Sequence, residues 1–275
     1  ICAGARATRT SLRRSWPPVA RMWRPEEDCG MYGFEFARPT SLDDALARLA
    51  EEDAQALGGG QTLIPSLKAR LAAPSVLVSL TGIPELKGVC EAEDGRLCVG
   101  AATTHAEVAR AAAERYPALA ALAGQIGDPA VRNRGTLGGS LANNDPSACY
   151  PAAVLGSGAE IVTPVRSILA DDYFQGMFET ALDEGEVITE VRFPVPMQGA
   201  YAKFAQPASR FALVGVFVAR FPDGARVAVT GASEDGVFRW AEAERALSET
   251  WSDQAVAGLS LPADGMIGDL HAHPA

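Results

Sequence analysis

Two stretches of this chain are built from residues that leave the backbone uncovered. Gly58-Gly59-Gly60-Gln61-Thr62 sets three glycines in a row before an amide and a hydroxyl side chain. Consecutive glycines adopt positive φ at no steric cost and let their N–H groups converge on an anion, and Thr62 adds a hydroxyl donor. Thr136-Leu137-Gly138-Gly139-Ser140, preceded by Arg132-Asn133-Arg134-Gly135, offers the same materials: small residues, open amides and a hydroxyl at each end. Neither is a Gly-Lys-Ser/Thr phosphate loop, and neither has the Gly-x-Gly-x-x-Gly spacing of the common dinucleotide fingerprint. Taken singly, each reads as a sharp turn. Two in one domain admit a second reading, because a dinucleotide diphosphate has two faces and two neutral, amide-lined loops can clamp both without a lysine.

The elements that must hold these loops follow from local pattern. Phe34 to Phe36 alternates as a short strand, ended by Arg38-Pro39. Thr40 or Ser41 caps a helix with an apolar stripe at Leu42, Ala45, Leu46, Leu49 and Ala50, and Asp43 and Asp44 suit its positive end. Ala54 to Leu57 reads as a strand feeding the first glycine loop, with a helix from Leu63 to about Arg70 beyond it. Ser75 to Leu80 and Arg96 to Ala101 are strand patterns, and helices are expected from Thr104 to Glu114 and from Pro117 to near Gly127. Asp128 to Asn144 is expected as a loop carrying the second motif. A helix from Pro151, strands at Ala159 to Thr163 and Glu186 to Phe193, and a break at Pro194-Val195-Pro196 follow. Beyond the break, Phe211 to Phe221 pairs across an Asp223-Gly224 hairpin turn with Arg226 to Thr230, and a helix spans Ala241 to Glu249. Irregular interleaving makes the class α+β. The expected domains are a leader over 1–32, a first domain over 33–196 and a smaller one over 197–275.

Composition excludes several functions. A net charge of −10 lacks the basic surface that nucleic acid requires. The first 30 residues hold six arginines (Arg6, Arg9, Arg13, Arg14, Arg21, Arg24) against Glu26, Glu27 and Asp28. Ser15-Trp16-Pro17-Pro18 follows the Arg13-Arg14 pair where an apolar signal core would begin, so this start reads as a disordered or non-native leader before Met31. No run approaches the roughly 18 apolar residues of a membrane span. The five cysteines (Cys2, Cys29, Cys90, Cys98, Cys149) are scattered and form no Cys-x-x-Cys. They predict no disulfide framework, zinc site or iron–sulfur cluster, and a reducing, cytoplasmic setting.

Ala56-Leu-Gly-Gly-Gly-Gln-Thr-Leu-Ile-Pro65 followed by Arg132-Asn-Arg-Gly-Thr-Leu-Gly-Gly-Ser-Leu-Ala-Asn143 resembles the FAD-binding subunit of the molybdenum hydroxylases. That group contains aerobic carbon monoxide dehydrogenase and the xanthine dehydrogenase and aldehyde oxidoreductase types. Asp145-Pro146, Pro151-Ala152-Ala153 and Glu186 to Pro194 support the likeness, which runs from about Phe34 to about Leu270. The resemblance implies a two-subdomain FAD-binding fold of the vanillyl-alcohol-oxidase/PCMH type, followed by a smaller α+β C-terminal domain. It implies that Gly58, Gly59, Gly60, Gln61 and Thr62, with Thr136, Leu137, Gly138, Gly139 and Ser140, contact the FAD diphosphate and ribityl region. Ile126 falls where the family packs an apolar residue near the flavin, and Ile188 where an aliphatic chain lies against the adenine.

The implied role is electron transfer: iron–sulfur clusters of a [2Fe-2S] small subunit deliver electrons that originate at a molybdenum-cofactor large subunit. FAD then reduces an external acceptor (NAD, a quinone or dioxygen). No side chain is expected to act on the organic substrate, and His105 is expected to be a structural hydrogen-bonder. The chain departs from the family at Cys149, where relatives commonly carry an acidic residue; this implies weaker FAD affinity unless Asp145 compensates. It also stops at Ala275, where the family goes on into a final helix, which implies a truncated C-terminal domain. Two other readings stay open: a stand-alone FAD oxidase of the vanillyl-alcohol type, and a truncated subunit that binds FAD weakly.

Overall fold

The computed structural model describes residues 30–268; most of the expected leader, and the last residues of the tail, lie outside the described residues. Every element below belongs to one contact unit that begins at Tyr32.

A small parallel sheet comes first. β1 (Glu35–Ala37), α1 (Leu42–Leu49), β2 (Ala54–Leu57), α2 (Leu63–Lys68) and β3 (Val76–Ser79) follow in sequence, and the strands lie in the order β1-β3-β2. Ser41 is the cap chosen for α1, its side chain accepting from the Asp44 N–H at 3.2 Å. The buried side of α1 closes a small core with Val76, Val78, Ile83 and Val187.

The second layer is longer. β4 (Val89–Glu91) and β5 (Leu97–Gly100) lead to α3 (His105–Ala111), α4 (Pro117–Gly124), α5 (Pro129–Arg132), α6 (Leu137–Asn143) and α7 (Tyr150–Ser157). β6 (Glu160–Val162), β7 (Ser167–Leu169), α8 (Ala170–Tyr173), β8 (Phe174–Gly176), β9 (Glu179–Thr180) and β10 (Glu190–Phe193) complete it. The antiparallel order is β4-β5-β10-β6-β7. Register puts Val89, Val99, Val191, Ile161 and Ile168 in one row, and all pack into the main core. The opposite face carries Cys90, Cys98, Arg192 and Glu160 in the matching row.

The third layer is an antiparallel meander of β11 (Gln198–Ala205), β12 (Ala212–Phe221), β13 (Gly224–Ser233) and β14 (Gly236–Arg239), followed by α9 (Ala241–Glu249). Tyr116 stacks edge-on against Phe217 of β12 and Phe193 of β10, so residues on both sides of Pro194-Val195-Pro196 share the main core. The α+β class is the one the sequence pattern predicts.

Two local expectations are corrected. Asp128 to Asn144 is not a loop: Asp128 accepts from the Val131 N–H at 2.8 Å and starts α5, and Thr136 caps α6. Each helix is too short to show a 3.6-residue apolar period, so only its cap was readable. The β12–β13 turn is Pro222-Asp223, because Phe221 pairs with Gly224 and Gly224 already belongs to β13. The turn is thus one residue earlier than the Asp-Gly pair suggests.

Candidate functional site

The two glycine motifs meet. The Gly58–Thr62 loop leaves the end of β2, the second motif leaves α5, and both line one cavity of about 590 Å³. That size is typical of a small-molecule site. The contact requires glycine. A Cβ on Gly59 would overlap the Arg134 carbonyl and lie 2.6 Å from the Gly135 Cα, and one on Gly58 would lie 2.8 Å from Thr136 Oγ1. Gly60 sits at φ +70°, a conformation that favours glycine. Glycine therefore serves here to bring two backbones together as well as to bare them.

The loops differ in what they offer. Among the described residues the N–H groups of Gly59, Gly60, Gln61 and Thr62 have no protein acceptor, and the Gln61 side chain donates back to the Gly59 carbonyl at 3.1 Å. Unpaired amides in a cavity wall need a ligand or water. The second motif does not have the open amides its composition suggests. Leu137 N–H donates to the Thr103 carbonyl at 3.1 Å, Gly138 N–H to that of Ala101 at 2.8 Å, and Ser140 N–H to that of Thr136 at 3.1 Å. Gly139 N–H is taken by Thr136 Oγ1 at 3.2 Å. Gly138 also lies so close to the chain just beyond β5 that a Cβ would stand 2.6 Å from that of Ala101. This motif contributes a thin wall: Thr136 caps α6 and Leu137 to Ser140 form its first turn.

Of the other expected residues, Ile126, Asp145 and Ile188 line the cavity, as do Thr136, Gly138, Gly139 and Ser140. Leu137 does not: its side chain is fully buried in the main core. The rotation of about 100° per residue along α6 turns it inward, away from its glycine neighbours. Asp145 Oδ1 accepts from the Ser147 N–H at 2.8 Å, so one carboxylate oxygen is engaged in its own turn. Cys149 lines the wall with Lys203 Nζ 3.5 Å from its sulfur, and the same ammonium donates to the Gln125 and Arg210 carbonyls at 2.7 and 2.8 Å. Lys203 thus ties the end of α4 to the β11–β12 loop behind the thiol. That loop adds Ser209, Arg210 and Phe211 to the cavity, and no sequence signal marks them beforehand.

Two titratable groups at the site are committed. His105 is buried beside Gly135 and Tyr150, 5.3 Å between ring centroids, and burial, aided by the charge of Arg132, lowers its pKa to about 4. Its Nδ1 is buried without a hydrogen-bond partner, so the expected hydrogen-bonding role is not what holds it; packing is. Glu186, also on the wall, is held to a pKa of about 2 by hydrogen bonds from Arg166, with the Asp183 N–H and Thr163 hydroxyl adding to the effect. Neither is a free acid or base at neutral pH. Among the described residues no group of three or more His, Cys, Asp or Glu could hold a metal ion.

A glycine-walled cleft with bare amides on one side, and with His105 and Glu186 spent on structure, defines a protein that holds an extended anionic cofactor. Residues 32–196 match the FAD binding domain in molybdopterin dehydrogenase. The carbon monoxide dehydrogenase medium chain of Hydrogenophaga pseudoflava is 33% identical over 259 residues, which cover 86% of this chain and 90% of that one. The nicotine 6-hydroxylase medium subunit of Paenarthrobacter nicotinovorans is 35% identical, covering 86% and 89%. Among solved structures, quinoline 2-oxidoreductase from Pseudomonas putida 86 superposes with a TM-score of 0.79 at 30% identity, covering 89% of this chain and 91% of that one. The chain belongs to the family of FAD-binding domains of molybdopterin dehydrogenases: it is an oxidoreductase subunit whose cofactor is FAD. The site fits that group, since the unpaired amides of Gly59 to Thr62 are donors of the kind a diphosphate accepts.

Proposed function

We propose that this chain is the FAD-carrying, electron-transferring subunit of a molybdenum hydroxylase complex, with FAD lying in the cavity between the two glycine motifs. The observation that carries the reading is the close approach of Gly59 to the Arg134–Gly135 backbone and of Gly58 to the Thr136 hydroxyl, beside four amides that have no protein acceptor. In this reading Gly59, Gly60, Gln61 and Thr62 donate to the diphosphate. Gly138, Gly139 and Ser140 form the opposing wall, and Leu137 anchors that wall from the core. Ile126 and Ile188 offer apolar surface to the two ring systems. Bound FAD supplies a centre able to take up electrons singly and release them in pairs. The chain's own part is to hold and orient it: the neutral His105 and the Arg166-bound Glu186 add no proton chemistry at pH 7.

The relatives are named as medium chains and subunits, which supports a partner that delivers electrons from iron–sulfur clusters and a further partner that carries the molybdenum cofactor and selects the substrate. The acceptor, in this reading, is NAD, a quinone or dioxygen. The family match ends at residue 196, which supports a domain boundary at Pro194-Val195-Pro196. Among the described residues no helix is long and apolar enough to cross a membrane, and Cys90, Cys98 and Cys149 are free thiols; a cytoplasmic site of action is part of the proposal.

The test is direct. The purified chain is expected to be yellow, with denaturation releasing unmodified FAD into the supernatant. Expressed with its partners, it is expected to co-purify with a cysteine-rich small subunit and a molybdenum subunit. A colourless chain that takes up no added FAD would refute the cofactor placement, and turnover of an organic substrate by this chain alone would refute the division of labour.

A further inference from the structure

Antiparallel register sets Cys90 of β4 directly opposite Cys98 of β5. The bonds from Gly100 N–H to the Gly88 carbonyl (3.0 Å) and from Ala92 N–H to the Arg96 carbonyl (2.9 Å) flank the pair at two-residue steps on either side. Cys90–Cys98 is therefore a hydrogen-bonded position of the ladder, where opposite Cα atoms lie about 5.5 Å apart. Directly opposite side chains share a face, and the usual disulfide window of roughly 4.4–6.8 Å between Cα atoms contains that separation. The Cβ separation of such a pair, about 5.5 Å, exceeds the roughly 3.5–4.5 Å of a relaxed bridge, so closing it must draw the edge strand β4 in and leaves a bond that is easily reduced. Both cysteines are free thiols. They stand on the face turned away from the main core, in the row that continues through Arg192 to Glu160.

The two sulfurs differ in access. Cys90 is exposed on an edge strand, whereas Cys98 is 6% exposed. Burial raises the Cys98 thiol above its ordinary pKa, and Glu190 and Cys90 add to the rise while Arg192 and Arg96 oppose it. A reagent from solvent meets Cys90 first, and Cys98 lies behind it as the resolving thiol.

We propose that Cys90 and Cys98 form a reversible dithiol–disulfide couple on the outer face of the five-stranded sheet, with a low-molecular-weight disulfide as oxidant. The Cys90 thiolate attacks one sulfur of the small disulfide, forming a mixed disulfide and expelling one thiolate. The Cys98 thiolate then attacks the Cys90 sulfur and expels the second. Two protein thiols give up two electrons and two protons, and one small disulfide is reduced to two thiols. The exposure of the Cys90 sulfur keeps the bridge open to attack by a reducing thiol, the property of labile rather than structural disulfides.

The experiment uses the full chain, incubated in buffers of graded oxidised to reduced glutathione, alkylated, and digested with trypsin without reduction. Cleavage after Lys87, Arg96 and Arg110 places the two cysteines on separate peptides, Gly88–Arg96 and Leu97–Arg110. The expected result is these peptides joined by a disulfide and separated again by dithiothreitol. In Cys98→Ser the glutathione adduct on Cys90 outlives that of the parent chain at least tenfold, because nothing resolves it. Oxidised parent chain that carries glutathione on Cys90 without the joined peptides, or joins either cysteine to another, or shows no reaction at Cys90, would overturn the proposal.

Discussion

Replacing Gly59 with alanine adds one methyl group where two backbones touch. The new Cβ overlaps the Arg134 carbonyl and approaches the Gly135 Cα to 2.6 Å. Both obstacles are main chain, so no side-chain rotation relieves the clash and the loops must part. Overpacking of this kind costs about 1–3 kcal/mol, and an immovable partner puts Gly59→Ala near the upper end. Set against binding, about 3 kcal/mol is roughly a 150-fold loss of affinity. Parted loops also carry the Gly59 to Thr62 amides off the cavity wall, so the loss should fall on FAD. The assay is titration of apoprotein with FAD, followed by quenching of flavin fluorescence. Gly124→Ala is the control: nothing lies within 4 Å of its Cβ, and it ends α4. It should leave affinity unchanged and stabilise the fold by up to about 1 kcal/mol. If Gly59→Ala binds FAD within twofold of the parent, or if the control loses affinity as well, the loop-contact argument fails.

Three further outcomes follow, two from the committed titratable groups and one from Leu137. His105, with a pKa near 4 in the fold against 6.5 ordinarily, stays neutral at pH 6. Its contribution, at most roughly 3 kcal/mol, is complete above pH 6.5 and is lost as pH falls toward 4, because the unfolded chain binds the proton more readily. NMR titration of the imidazole checks this, and a midpoint near 6.5 contradicts its burial. Glu186, at about 2 against 4.5, contributes above pH 4.5 and loses that contribution as pH falls toward 2. Glu186→Gln should cost about 1.5–3 kcal/mol at pH 7 and less at pH 3, read by urea denaturation at both pH values; equal costs would disprove the Arg166 pairing. Leu137→Ala removes a fully buried side chain and should cost about 2–5 kcal/mol in the same assay, whereas a cost below about 1 kcal/mol would mean that Leu137 faces the cavity after all.

The sequence by itself determined the local facts. Ser41 and the stripe through Leu49 define α1, Ala241 to Glu249 is helical as read, and both glycine motifs announce themselves by composition. Near-neighbour forces suffice there: caps, periodicity and the absence of Cβ act over a few residues. Tertiary structure decided what each motif does. Identical chemistry gives bare amides at Gly59 to Thr62 and spent ones at Leu137 to Ser140, because Thr103 and Ala101 of a distant segment accept from Leu137 and Gly138 while Thr136 caps Gly139 and Ser140. The same long-range pairing turned His105 into a packed neutral ring and set Arg210 beside the cavity. It also placed Cys90 opposite Cys98, which no spacing rule for cysteines anticipates. Register and burial depend on which strands meet, and that choice is made by the whole core at once.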